Sequence, residues 1–311
     1  MARRILTAAL VAAALLGAVR PVVRAQAALP TGTWATRAPM PTARQELAVA
    51  VLDGKVFVIG GYDTSGASTA VVEVYDPASD TWRAAAPLPL ATNHNAAAVV
   101  DGVLLAFGGT SPRVFAYSAA HDSWSELTPM RYTHGGTPAV AVIGGKLYVA
   151  GGTGPDMAGN ELELYDPKAR AWQTLAPMGI PRNHTAGGTI HGKFYVVGGR
   201  GHPLASTALE VYDPSTRRWS PLAPMPTGRS GIGAGGVGGQ LYVFGGEGPR
   251  LFGEVEVYDA VTNLWRQLPP MPVPRHGLFA GVIGNAIYLP GGGIRPGLGA
   301  TTVNTVFKIA P

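Results

Sequence analysis

Lys55-Val56-Phe57-Val58-Ile59-Gly60-Gly61 is a short apolar run closed by two glycines, and Glu73-Val74-Tyr75-Asp76-Pro77 and then Trp82 follow it. The pattern recurs along the chain. Glycine pairs close short apolar runs at Gly60/Gly61, Gly108/Gly109, Gly151/Gly152, Gly198/Gly199, Gly245/Gly246 and Gly291/Gly292, at intervals of 48, 43, 47, 47 and 46 residues. The six tryptophans, Trp34, Trp82, Trp124, Trp172, Trp219 and Trp265, keep the same beat. A tyrosine stands seven residues before five of them, at Tyr75, Tyr117, Tyr165, Tyr212 and Tyr258. A proline stands five residues after all of them, followed by Met, or by Leu88 in one unit. Several locked positions at a period of 40–50 residues mark a repeat architecture in which each unit is one supersecondary block.

Within a unit the signals are those of strands. Residues 48–52 are apolar and β-prone, Asp53-Gly54 is a two-residue hairpin signal, and residues 55–59 form a second strand. The glycine pair lets backbones approach closely, a variable loop follows, and residues 71–75 read as a third strand. Asp76-Pro77 turns the chain into a short fourth strand that carries Trp82. The other units repeat the order, with hairpin turns expected at Asp101-Gly102, Gly144-Gly145, His191-Gly192, Gly239-Gln240 and Gly284-Asn285. All six glycine pairs, Gly108 and Gly109 included, are expected to play one structural role in the repeat. Four antiparallel strands repeated six times predict an all-β, six-bladed β-propeller, with the recurring Tyr and Trp packed between blades. Trp34 has no glycine pair before it, and the last unit ends without a Trp after its third strand at residues 303–309. The N-terminal strand around Trp34 is therefore expected to complete the last blade and remove two open edges.

The rest of the composition narrows the function classes. With 43 Gly and 27 Pro among 311 residues, and few charges, the chain suits many short strands joined by tight turns. Residues 1–27 read as a secretory signal peptide: Arg3 and Arg4, an apolar run over residues 5–19, and Ala25-Gln26-Ala27 as a small-x-small site. The run falls short of the roughly 20 residues that span a bilayer; an uncleaved anchor and a twin-arginine export signal are the other readings of it. Residues 28–311 are then a single domain, expected to be secreted or periplasmic and monomeric, without a stable membrane span. Removing residues 1–27 takes away four arginines and no acid, leaving 20 basic against 19 acidic residues. The basic balance thus belongs to the targeting segment and is no sign of nucleic acid. The absence of cysteine excludes disulfides, thiolate metal sites and cysteine nucleophiles.

The glycine pair after an apolar strand, the Tyr-Asp-Pro at Tyr75, Tyr165 and Tyr212, and the Trp followed by Pro-Met resemble the kelch repeat. Tyr258-Asp259-Ala260 keeps two of the three residues and Tyr117-Ser118-Ala119 keeps one. The resemblance covers residues 30–311 and implies a propeller that serves as a protein-interaction module, a carbohydrate-binding or carbohydrate-acting extracellular protein, or in some cases an enzyme.

Three sets of positions are candidates for binding. Arg44, Arg182, Arg229 and Arg275 stand sixteen residues before their glycine pairs, where the second and third units carry Thr92 and Gly135. In similar kelch proteins this position lines one mouth of the central channel, so a guanidinium ring there would attract carboxylates. The alternative is structural pairing with the glutamates two before the tyrosines, Glu73, Glu163, Glu210 and Glu256. His94 and His184 lie fourteen residues before their glycine pairs, with His134 and His276 nearby in their own units. An imidazole ring at the channel could bind metal or move protons, but any such site would need several blades, and no metal or cofactor is expected. The loops after the glycine pairs differ most between units; they carry Tyr62, Asp63, Arg113, Asp156, Asn160, Arg200, His202, Glu247, Arg250 and Arg295. No nucleophile elbow, phosphate loop or galactose-oxidase-like Cys–Tyr pair is present. The expectation is a non-catalytic propeller that binds a protein or glycan at one channel mouth. The alternative is a sugar-acting enzyme resembling kelch N-acetylneuraminate mutarotases, whose catalytic residues find no match here.

Overall fold

Each repeat folds into one antiparallel sheet of four strands, and the computed structural model, which describes residues 31–201 and 204–310, holds six such sheets. The first blade is Ala48–Leu52, Lys55–Ile59, Val72–Asp76 and Thr81–Ala85. The second is Asn95–Val100, Val103–Gly108, Val114–Ser118 and Ser123–Leu127, and the third is Ala139–Ile143, Lys146–Ala150, Leu162–Asp166 and Ala171–Leu175. The fourth is Ala186–Ile190, Lys193–Val197, Leu209–Asp213 and Arg218–Pro221, and the fifth is Gly233–Val237, Gln240–Phe244, Val255–Asp259 and Leu264–Leu268. The sixth joins Gly281–Ile283, Ala286–Pro290 and Asn304–Ile309 to Gly32–Thr36. Among the described residues no helix is long and apolar enough to cross a membrane. The expected signal peptide, residues 1–27, and the loop candidate His202 lie outside the described residues.

The hairpin turns follow the sequence signals, since Asp53-Gly54, Asp101-Gly102 and His191-Gly192 all place both residues at positive φ. The fifth turn is a correction: it is Gly238-Gly239, not Gly239-Gln240, because Gln240 already pairs with Val237 and Asp259. The third strand of the first blade runs one residue later than expected, to Asp76.

The second strand of each blade is buried almost throughout, whereas the fourth is largely exposed apart from its Trp side. On that side each Tyr lies directly opposite its Trp, with ring centroids 5.0–5.3 Å apart. In the sixth blade Phe307 takes the tyrosine's place opposite Trp34, at 5.0 Å. Every Trp indole N–H donates to a backbone carbonyl of the preceding blade, always the fourth residue after that blade's own Trp and the one before its proline. The acceptors are Ala38, Ala86, Thr128, Ala176 and Ala223 at 2.8–3.0 Å, and Trp34 donates to Pro269 at 3.1 Å. The tryptophans thus both fill the interblade core and fasten each sheet to its neighbour.

Five of the six glycine pairs fasten the inner ends. The second glycine's N–H donates to the carbonyl sixteen residues before the next pair: Gly61 to Thr92, Gly152 to Arg182, Gly199 to Arg229, Gly246 to Arg275 and Gly292 to Arg44, at 2.8–3.0 Å. At Gly151 (φ 73°) a Cβ would sit 2.6 Å from the Arg182 carbonyl oxygen, so only glycine allows this approach. Gly109 is a correction to the expectation of six equivalent pairs. It is half-buried where its five counterparts are buried, its φ is 80° where theirs lie between 95° and 108°, and it takes no part in this set of bonds. The second blade's loop is the reason. Gly108 still belongs to its strand, paired with Asn95, and only residues 110–113 separate Gly109 from Val114, too short a loop to fold back over it. Gly109 nevertheless needs to be glycine, because a Cβ would lie 2.4 Å from the Asn93 carbonyl oxygen. The innermost strands touch their neighbours all the way round. The N-terminal strand pairs with Asn304–Ile309 over five residues and closes the ring as expected.

Candidate functional site

The innermost strands enclose a central channel of about 510 Å³ walled mainly by Ala, Gly and Val, among them Val49, Ala97, Val140, Gly188 and Gly235. Its wall carries little chemistry; its mouth carries more. The residue fourteen before each glycine pair stands just ahead of the innermost strand, and in chain order these six are Glu46, His94, Thr137, His184, Gly231 and Gly277. All six have left-handed backbones, with φ between 50° and 63°. Their backbones form a closed hydrogen-bonded circle. Glu46 N–H donates to Gly277, His94 to Glu46, Thr137 to His94, Thr185 to Thr137, Gly231 to His184 and Leu278 to Gly231, at 2.8–3.4 Å.

Four of the six positions bear side chains, and three of these converge. Glu46, His94 and His184 each direct one ligand-type atom to within 4.8 Å of the others. His94 Nε2 is 3.5 Å from Glu46 Oε2, and the imidazoles of His94 and His184 meet edge to face at 4.8 Å between centroids. The Thr137 hydroxyl donates to Glu46 Oε2 at 3.2 Å. Glu46 is buried and folds over Gly277, where a Cβ would lie 2.7 Å from Oε1. His276, one residue before that glycine, places Nδ1 3.6 Å from both Glu46 Oε1 and Glu247 Oε1, too far for a hydrogen bond but close enough for the protonated imidazole to pair with both carboxylates. Burial alone would raise the Glu46 carboxyl; the surrounding His94, His276 and His184 outweigh it and hold the group well below the usual carboxylate range. Burial pushes His184 down to about 4, against the pull of Glu46. His276 moves the other way: burial lowers it, but Glu46 and Glu247 together raise it.

Variable loops build the rim of this pocket, whose volume is about 280 Å³. Tyr62 stacks edge-on against His94 at 5.3 Å. Arg200 donates to Glu247 Oε1 at 2.6 Å. Gln45 Nε2 donates to the Gly297 carbonyl and its Oε1 accepts from Gly299 N–H, pinning the last blade's loop across the rim at 2.7 and 2.6 Å. Arg295 contributes backbone only: its carbonyl oxygen is 3.0 Å from His276 Nε2, while its exposed guanidinium donates to the Leu298 carbonyl. Arg113 and Arg250 pair locally with Glu126 and Glu254 and do not reach the mouth.

The four repeated arginines are placed differently from the channel-mouth expectation. Arg44, Arg182, Arg229 and Arg275 are fully buried inside the blades. Arg44 Nη2 donates to Glu73 at 2.7 Å and Nη1 to the carbonyls of Gly60 and Val71, and Arg182 and Arg229 pair likewise with Glu210 and Glu256. The third blade, which has the Glu but not the Arg, uses His134, whose Nε2 is 3.1 Å from Glu163 and whose Nδ1 meets the Gly151 carbonyl. His134 is thus a blade residue and not part of the mouth. In the sixth blade, which has no Glu, Arg275 donates to Thr305 and to the carbonyls of Leu289, Gly291 and Val303. In the second, Thr92 and Phe115 replace both partners. Of the expected binding residues, the mouth gathers His94, His184, His276 and Arg200. Tyr62 and Glu247, expected in the variable loops, join them. The mouth adds Glu46 and Thr137, and the fourteen-residue offset that these two share with His94 and His184 was the signal that could have found them.

Comparison with known proteins agrees with this architecture. The model of the KLHDC2/KLHL20/DRC7 Kelch-repeats domain matches residues 126–293, more than half of the chain, and the Kelch motif matches residues 43–89. The chain belongs to the kelch-repeat family. Kelch-like protein terF of Aspergillus terreus is 31% identical over 166 residues, covering 51% of this chain and 28% of its own length. Mouse Kelch-like protein 35 is 27% identical over 122 residues, covering 39% and 21%. The chain thus spans under a third of the length of those relatives. The solved structure of YjhT superposes with a TM-score of 0.74 at 19% identity, covering 88% of this chain and 99% of that one, a likeness of fold.

Proposed function

We propose that this kelch propeller is a binding module that takes a protein or carbohydrate ligand at the channel mouth bearing Glu46, His94, His184 and His276. The observation that carries the reading is the ring of six equivalent left-handed positions. Two hold the unstrained choice, glycine; four hold Glu, His, Thr and His, and holding a residue in such a conformation costs on the order of 1–3 kcal/mol. Side chains kept at a strained ring and turned toward a polar pocket are what a binding site requires, and the rim aromatic Tyr62 offers a face for a sugar ring or a peptide side chain. The reading of an enzyme for carboxylated sugars loses its main support, because the guanidinium groups it relies on are occupied inside the blades. Export through residues 1–27 belongs to the same proposal, and N-terminal sequencing of the protein recovered from outside the cytoplasm tests it.

A thermal-shift screen of the purified protein against neutral and acidic oligosaccharides and short peptides tests the site. Ligand at about 100 times its dissociation constant adds roughly 2.7 kcal/mol. The shift is expected to disappear in a Tyr62→Ala/Arg200→Ala variant and to persist in a variant altered at the exposed outer Val261. Ligand shifts that survive the mouth substitutions would move the site elsewhere.

A further inference from the structure

We propose that the mouth holds one divalent first-row transition-metal ion through Glu46, His94 and His184. Two imidazoles and one carboxylate form a donor set suited to such ions and poorly suited to Mg²⁺ or Ca²⁺, which take oxygen ligands. Bonds of about 2.0–2.2 Å place neighbouring ligand atoms roughly 3–3.5 Å apart. The 3.5 Å between His94 Nε2 and Glu46 Oε2 is already there, and the widest separation in the trio, at most 4.8 Å, needs a contraction of about 1–2 Å within the reach of side-chain torsions.

The second observation is what lies behind the ligands. His94 Nδ1 is bonded to the side-chain oxygen of Asn93, and His184 Nδ1 to that of Asn183; the same Asn-His dipeptide serves both blades. An amide oxygen only accepts, so each Nδ1 carries the proton and each Nε2 is left as a lone pair. The Asn93 amide is itself oriented by the bond it donates to Ser68 Oγ at 2.6 Å. Metal-binding histidines are held in this way, with the distal nitrogen fixed by an outer acceptor. The carboxylate has its own support in the Thr137 hydroxyl. His276 Nδ1, buried and without a hydrogen-bond partner, faces the same carboxylate. Three protein ligands beneath a pocket leave a coordination position open toward it, as in sites that bind a further molecule on the metal. The sequence hides the set because its members lie 48 and 90 residues apart and meet only when the ring closes.

The ion does not depend on the mouth's having a macromolecular or sugar ligand, and its test is read on metal alone. The full-length protein, stripped with chelator, is titrated calorimetrically with ZnCl₂, with MgCl₂ as the hard-ion comparison. One equivalent of Zn²⁺ is expected to bind and to raise the melting temperature, with no response to Mg²⁺. A His94→Asn/His184→Asn variant removes both imidazoles while keeping a residue type at ease in the left-handed region; its metal-free melt should match wild type and its uptake should vanish. His121→Ala, at an exposed histidine far along the chain, should bind as wild type. Should the double variant fold poorly, Asn183→Ala leaves all three ligands in place and is expected to weaken Zn²⁺ binding about 10–100-fold. No stoichiometric uptake by the wild type, or uptake undiminished in both the double variant and Asn183→Ala, overturns the proposal.

Discussion

Arg229 and Glu256 show what a buried ion pair does here. Both are fully buried, and the guanidinium also donates to the carbonyls of Gly245 and Thr227, so it links the loop before the innermost strand to the third strand of the same blade. Removing one partner strands a charge: Arg229→Thr is expected to cost about 3–5 kcal/mol in denaturant unfolding. The second blade has already lost both partners, with Thr92 and Phe115 in their places. Arg229→Thr/Glu256→Phe copies that solution and should recover a large part of the loss, which a double-mutant cycle measures; a double variant worse than the sum would contradict it. The sequence showed the Arg and the Glu at fixed offsets but left open whether they met. An offset locates a residue along the chain and not the direction of its side chain. Glu46 and Thr137 were missed for a related reason: they share their position with His94 and His184 but not their chemistry.

At the scale of the strand and the blade, the Tyr and Trp opposite one another carry the load. Trp172→Ala loses the ring contact with Tyr165 and the bond to the Thr128 carbonyl. The expected loss is about 3 kcal/mol, the low end for a tryptophan because the ring is partly exposed, seen as a melting point lower by several degrees. The tyrosines add a pH limit. Burial, the largest cause in every case, raises the phenols of Tyr75, Tyr117, Tyr165, Tyr212 and Tyr258, with Asp80 and Asp122 adding to the first two; Tyr258 reaches about 12. A group whose folded value lies above the unfolded value of about 10 stabilises fully below pH 10 and ceases to do so as the pH rises through its folded value. Thermal melts should therefore hold level up to about pH 10 and fall between pH 10 and 12, while these five phenols, followed one by one through Tyr→Phe difference spectra, stay un-ionised until the protein unfolds; their early ionisation in folded protein would refute the packing. These elements were legible because period-two strands and two-residue turns are local signals. The misplaced turn came where two adjacent glycines, Gly238 and Gly239, precede Gln240, and only the pairing of Gln240 with Val237 decides which two residues turn. Gly109 misled in another way: it keeps the repeat's residue, but the length of the loop after it decides how deeply it sits.

For the whole molecule, closure rests on a pairing across nearly the full chain, Gly32 with Ile309. Deleting residues 31–40 removes that strand together with the Trp34 bond to Pro269 and leaves Asn304–Ile309 as an open edge. The expected outcome is loss of cooperative unfolding or aggregation, checked by calorimetry and light scattering; a soluble truncation that melts cooperatively would show the ring closing without it. Closure was legible because the orphan Trp at one end matched the missing Trp at the other. The mouth was legible only in part: its histidines stood out by residue type, but Glu46 and Thr137 become their neighbours only when the blades assemble.

The same pairing has a consequence for biosynthesis. Residues 304–309 are made more than 260 residues after their partner at residues 32–36. At about 5–20 residues per second the first strand waits on the order of tens of seconds with its edge unsatisfied. During that interval five blades can assemble in sequence while the sixth cannot, so the nascent chain passes through an open-ended stage. Synthesis of residues 304–309, rather than the folding of any one blade, then times the appearance of the finished mouth.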